Sequence, residues 1–146
     1  MAQPFTAGGE GTFADRPTAK SELRKVPAYQ AYQILRAAFV IAPMIAGIDK
    51  FLHLLTNWDV YLAPRIAVLS PVGGHGLMVA IGPIEIIAGL LVAFRPRIGA
   101  YVVMAWLLGI IVNLLLIPGF FDIALRDFGL ALGAFALARL SVQYGS

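Results

Sequence analysis

Between Tyr29 and Leu55 the chain is apolar enough to cross a bilayer, yet it carries Arg36, Asp49, Lys50 and His53. No other stretch restricts the possible folds so sharply. A helix crossing about 30 Å of hydrocarbon needs roughly 20 residues, so the length is right for a membrane span. The charges are wrong for lipid, because an ionised side chain in the bilayer normally faces protein or water and finds a partner there. The rest of the chain must supply those partners. Arg36, Pro43 and Lys50 recur at seven-residue spacing, with Gly47 close to the same stripe, so one face of this helix is expected to look inward.

The totals agree with a membrane setting. At 146 residues, with 60% hydrophobic and 13% charged residues and a mean hydropathy of +0.82, the chain reads as one polytopic membrane domain. Its formal net charge of +3 is small and unevenly placed, which bears on orientation in a membrane and not on nucleic-acid binding. Without cysteine there is no thiol exchange, no cysteine-ligated zinc and no iron–sulfur cluster.

Residues 1–26 differ in kind from the rest. Gly8, Gly9, Gly11, Pro4 and Pro17 are interspersed with Glu10, Asp15, Arg16, Lys20 and Glu22, and no continuous apolar core of a signal peptide is present. This segment is expected to be a cytoplasmic tail, flexible or ordered only on a partner. Residues 27–146 are expected to form the membrane domain.

Four spans are expected there: Pro27 to Leu55, Leu77 to Phe94, Ile98 to Ile117 and Ile123 to Val142. The fold class is all-α, an integral membrane four-helix bundle. A long connection from Leu54 to Gly76 joins the first two spans, and within it Tyr61 to Leu69 suits a short helix resting on the membrane surface. The Gly73-Gly74-His75-Gly76 run has the composition of a turn. Arg16, Lys20, Arg24, Lys25, Arg95, Arg97 and Arg139 flank the side bearing the termini, against Lys50, Arg65 and Arg126 opposite. The excess places both termini in the cytoplasm.

Gly82, Glu85 and Gly89 share one face of the second span, where a neighbouring backbone can approach a mid-span carboxyl. An acid at that depth is a functional-site candidate by default. Asp49 and Lys50 end the first span on the same outer side, Asn113 approaches from the third, and Arg126 and Asp127 begin the fourth. These six side chains, Asp49, Lys50, Glu85, Asn113, Arg126 and Asp127, are expected to converge on a polar pocket. Arg36, nearer the other side, is expected to snorkel to headgroups. Gly129 and Gly133 form a GxxxG pair that favours close helix packing. His53 and His75 have no partner at metal-ligating spacing, and no Walker loop, GxSxG or HExxH motif is present.

An arginine early in the first span (Arg36), the GIDKF segment with Gly47 and Lys50, the loop NWDVYLAP, the span GPIEIIAGLLVAF with Glu85 and Gly89, and the ending RDFGLALGAFALARL occur in that order. In these features, from about Ala28 to Leu140, the chain resembles the DoxX-like family of small four-helix membrane proteins. The resemblance implies association with membrane oxidoreductase systems, including a subunit of thiosulfate:quinone oxidoreductase. The expected role is an accessory, non-catalytic subunit in the cytoplasmic (inner) membrane of a bacterium, assembled with other membrane-protein subunits. It would have no intrinsic cofactor and no metal, and its polar cluster would contact a quinone or lipid. The rival expectations are a small proton-linked transporter in which Glu85 titrates, and a purely structural membrane scaffold.

Overall fold

A computed structural model describes residues 18–145; residues 1–17 and 146, and with them most of the stretch read as a tail, lie outside the described residues. Every regular element among the described residues is helical. They are α1 (Ala19–Lys25), α2 (Pro27–Leu52), a 3-10 turn (Trp58–Tyr61), α3 (Pro64–Leu69), α4 (Gly73–Phe94), α5 (Pro96–Leu115) and α6 (Phe121–Tyr144). The last part of the expected tail is thus the helix α1, whose N-terminus is capped by the Thr18 side chain accepting from the Ser21 amide.

Three helices, α2, α4 and α5, are long and apolar enough to cross a membrane. Helix α6 has the length, 24 residues, but carries Asp122, Arg126, Asp127 and Arg139 and is not among them. By length and composition, then, three of the four expected spans qualify.

Local chemistry sets the boundaries. Pro27 and Pro96 occupy the first turns of α2 and α5, where a missing N–H leaves no bond unmade. Helix α2 stops at Leu52, ahead of the expected Leu55, because His53 turns left-handed (φ 53°, ψ 39°) and returns its N–H to the Asp49 carbonyl. The glycine run is not a turn: only Gly73 has a positive φ, 76°, and Gly74, His75 and Gly76 already belong to α4. Gly74 lies against Ala67 of α3, so the second long helix begins a turn earlier than Leu77 and rests on the connection. The short helix expected there is present as α3.

Helices α2 and α4 run antiparallel, with Gly47 opposite Gly82 and Val40 opposite Gly89. A Cβ on Gly47 would stand 2.5 Å from the Gly82 carbonyl oxygen, and one on Gly82 would stand 2.8 Å from that of Gly47. Only glycine permits that approach. Helix α5 folds back on α4 with Gly99 against Val92. Helix α6 then runs antiparallel to α5 and α2: Tyr101 and Phe135 rings lie 6.4 Å apart, Gly133 faces the Phe39 ring, and Tyr144 meets Tyr29 and Tyr32 at 5.4 and 5.9 Å.

The four long helices therefore pack in the cyclic order α2, α4, α5, α6. Tyr32, Phe39, Ala88, Val92, Ala100, Val103, Ala134, Leu137 and Ala138 form the apolar core, toward the end where α2 begins and α6 finishes. Large apolar side chains such as Ile34, Ile41, Ile45, Ile87, Leu125 and Leu132 remain exposed on the outside. Helices in hydrocarbon present such a surface, because lipid does not penalise it.

Candidate functional site

The end of the molecule opposite that core holds its buried charges. In each helix a side chain leans toward its own N-terminus, so on antiparallel α2 and α4 Lys50 and Glu85 lean toward one another across the Gly47–Gly82 crossing. Lys50 Nζ lies 2.5 Å from Glu85 Oε2, and the two residues are 3% and 8% exposed. The ammonium also lies 3.9 Å from the centroid of the Trp58 ring, a cation–π contact.

The neighbouring Asp49 serves the loop. Its Oδ1 accepts from the amides of Leu54 and Leu55 at 2.9 and 3.1 Å, and its Oδ2 accepts from Trp58 Nε1 at 2.8 Å. These donors lie just past the end of α2, where the chain has left the helix and needs acceptors. Trp58 thus joins two consecutive residues, its indole edge on Asp49 and its face on Lys50. The result is a closed network in which the loop folds over an interhelical ion pair. Pairing is what allows these charges to be buried, since losing one partner would strand the other without solvent.

Asn113 acts elsewhere on the same connection. Its Oδ1 accepts from the Ala63 amide at 2.8 Å and its Nδ2 donates to the Tyr61 carbonyl. One side-chain amide thereby fixes the backbone between the 3-10 turn and α3, and Ala63 is 0% exposed. Arg126 and Asp127 form a pair of their own at 3.3 Å on α6, the aspartate buried and the arginine largely exposed. Among the described residues no hydrogen bond or ion pair joins Asn113, Arg126 or Asp127 to the Lys50–Glu85 pair. The six expected residues therefore separate into a loop-covered ion pair with Asp49, a loop clamp and an α6 pair. Depth along the helices brings all six toward one end but does not orient them toward one point.

Arg36 corrects its expected role. Its Nη2 donates to the carbonyl of Ala93 in the last turn of α4, so the half-buried guanidinium satisfies a helix C-terminus and does not merely snorkel. Two contacts of the connection have no counterpart in the sequence reading. His75 Nδ1 lies 2.7 Å from Asp59 Oδ2, and the His75 ring stacks on His53 at 5.9 Å. Nothing in the spacing of Trp58 from Asp49 signals the indole bond, because a loop closes it.

Chemically, the Lys50–Glu85 pair sets a hydrogen-bond donor against an acceptor inside an otherwise apolar contact between α2 and α4. Among the described residues no three His, Asp or Glu side chains gather so as to hold a metal ion. Compared with models of protein families, with curated proteins and with solved structures, the chain matches none.

Proposed function

We propose that the chain is a DoxX-like accessory subunit of a membrane redox assembly, a bundle of four membrane helices with both termini in the cytoplasm. The observation that carries this reading is the buried Lys50–Glu85 pair roofed by Trp58, on a body whose outward surface is largely apolar. Glu85 keeps 8% of its surface exposed, and there a polar headgroup, of a quinone or a lipid, would reach the pair and hydrogen-bond to it. The chain brings no redox centre of its own in this reading, so electrons pass through cofactors held by its partners.

Purification in mild detergent, with identification of co-purifying chains and extracted quinones, tests it. A stable membrane complex that carries quinone, and loses it in the doubly uncharged variant Lys50→Met with Glu85→Leu, is the expected result. A solitary, monodisperse chain without quinone or lipid would sink the proposal. A second reading rests on Glu85, a buried carboxyl inside a membrane-length helix that is paired, among the described residues, with Lys50 alone: a small proton-linked transporter. Proteoliposome flux abolished by Glu85→Gln would put that reading first.

A further inference from the structure

The end where α1 meets α2 carries a second feature, distinct from the Lys50–Glu85 pair. A cleft of about 290 Å³ is lined by Gln33, Arg36, Ala37, Val40, Ile41 and Ala93, between α2 and the end of α4. A second, of about 640 Å³, is lined by Arg24, Tyr29, Gln30, Gln33 and Ile34. Gln33 borders both, so together they make one furrow along α2.

The furrow is graded in chemistry. Its inner part is floored by Ala37, Val40 and Ile41. Its outer part is bordered by Arg24, Gln30, Tyr29 and Ile34, and Arg36 lines the inner part beside Gln33, which the two parts share. Arg36 commits one N–H to Ala93, and a guanidinium has five N–H donors in a fixed fork. The backbone of α1 is held over the outer part by Gln30 Nε2, which donates to the Arg24 carbonyl at 3.0 Å, and among the described residues no hydrogen bond or ion pair engages the Arg24 guanidinium. At this end of the molecule Lys20, Arg24, Lys25, Arg95 and Arg97 outnumber the only acid of the described residues there, Glu22, which is itself paired with Lys25 at 2.9 Å.

From this gradient we infer a binding site for one anionic phospholipid, with the headgroup phosphate between Arg24 and Arg36 and an acyl chain along Ala37, Val40 and Ile41. Charge complementarity selects the occupant: the polar end presents cations, and the apolar floor suits a hydrocarbon tail and not a free phosphate. The inference rests on the proposed membrane placement of α2 and α4, though not on any redox role.

The test uses the full-length protein in neutral detergent, titrated with phosphatidylglycerol or phosphatidylcholine, with inorganic phosphate as control, and bound lipid is counted by native mass spectrometry. Phosphatidylglycerol is expected to be retained in preference, at one equivalent, and phosphate not to compete. Removing a cation near a lipid phosphate should weaken retention about fivefold, so Arg24→Gln should do so alone and the Arg24→Gln/Arg36→Gln pair more strongly. Arg24→Gln is the decisive variant, because among the described residues its side chain makes no bond, whereas Arg36→Gln also uncaps α4. Equal retention of both lipids by the unaltered protein, or a preference that survives Arg24→Gln, overturns the site alone. Release of the chain from membranes by alkaline carbonate overturns the site together with the membrane placement.

Discussion

Helices α2 and α4 pack by one rule, α5 and α6 by another. Between α2 and α4, glycines lie at the seam itself: Cβ atoms on Gly47, Gly82 and Gly89 would meet backbone oxygen at 2.5, 2.8 and 2.8 Å. Between α5 and α6 the buried positions are alanines and larger residues, Ala100, Ala131, Ala134, Leu137 and Ala138, while Gly109 and Gly129 have nothing within 4 Å of where a Cβ would stand. Gly133 meets the Phe39 ring of α2 and not its hairpin partner α5. Glycine content therefore says little about closeness. What matters is whether backbone lies opposite, and at the α2–α4 seam it does, which brings Lys50 within reach of Glu85.

The contrast is open to direct attack by substitution. The largest effect is expected from Lys50→Met or Glu85→Gln alone, each of which strands a buried partner and should lower unfolding free energy in mixed micelles by about 3–5 kcal/mol. Replacing both together, Lys50→Met with Glu85→Leu, should recover most of that loss; a double variant as damaged as the singles would mean that the seam depends on charge and not on packing. Next comes Gly47→Ala, where the new methyl meets the Gly82 carbonyl and should cost about 1–3 kcal/mol, read as a lower unfolding midpoint.

Asn113→Ala tests the clamp rather than the seam. It leaves the fully buried Ala63 amide without its acceptor, at about 1–2 kcal/mol, and should speed hydrogen exchange there while leaving the core of α5 protected. Smallest of all, Gly109→Ala and Gly129→Ala should change stability by no more than about 1 kcal/mol, in the stabilising direction, since alanine is the better helix former. If either proved as harmful as Gly47→Ala, the distinction between the two helix pairs would fail.

Parts of this arrangement could be read from residue order. The common face of Gly82, Glu85 and Gly89 follows from helical periodicity, and all three are buried in α4. A buried acid announces that it needs a cation, and the lysine at the end of α2 was a natural candidate. The angular position of α6 was not legible, because alternating small and large apolar residues all round a helix leave its facing undetermined; hence Arg126 and Asp127, which pair with each other, are expected in one pocket with Lys50 and Glu85 but make no bond to that pair among the described residues. Loop closure was equally hidden. Asp49 with Trp58, and Asn113 with Ala63, are bonds between segments whose meeting depends on chain reversal, and neither residue type carries a local mark of its partner. The glycine run misled for a related reason: one residue at positive φ suffices to reverse the chain, and the other three are free to be helical.

The ion pair of α2 and α4 also bears on how such a chain is made. Lys50 emerges from the ribosome well before Glu85, and until the acid arrives a lone ammonium would have to enter hydrocarbon unaccompanied. With the proposed membrane placement, the cheaper order is for the first long helix to wait at the translocation channel and slip sideways into lipid only together with the second. The two would then be a single unit of biogenesis, joined before either is settled, with the remaining hairpin added afterwards.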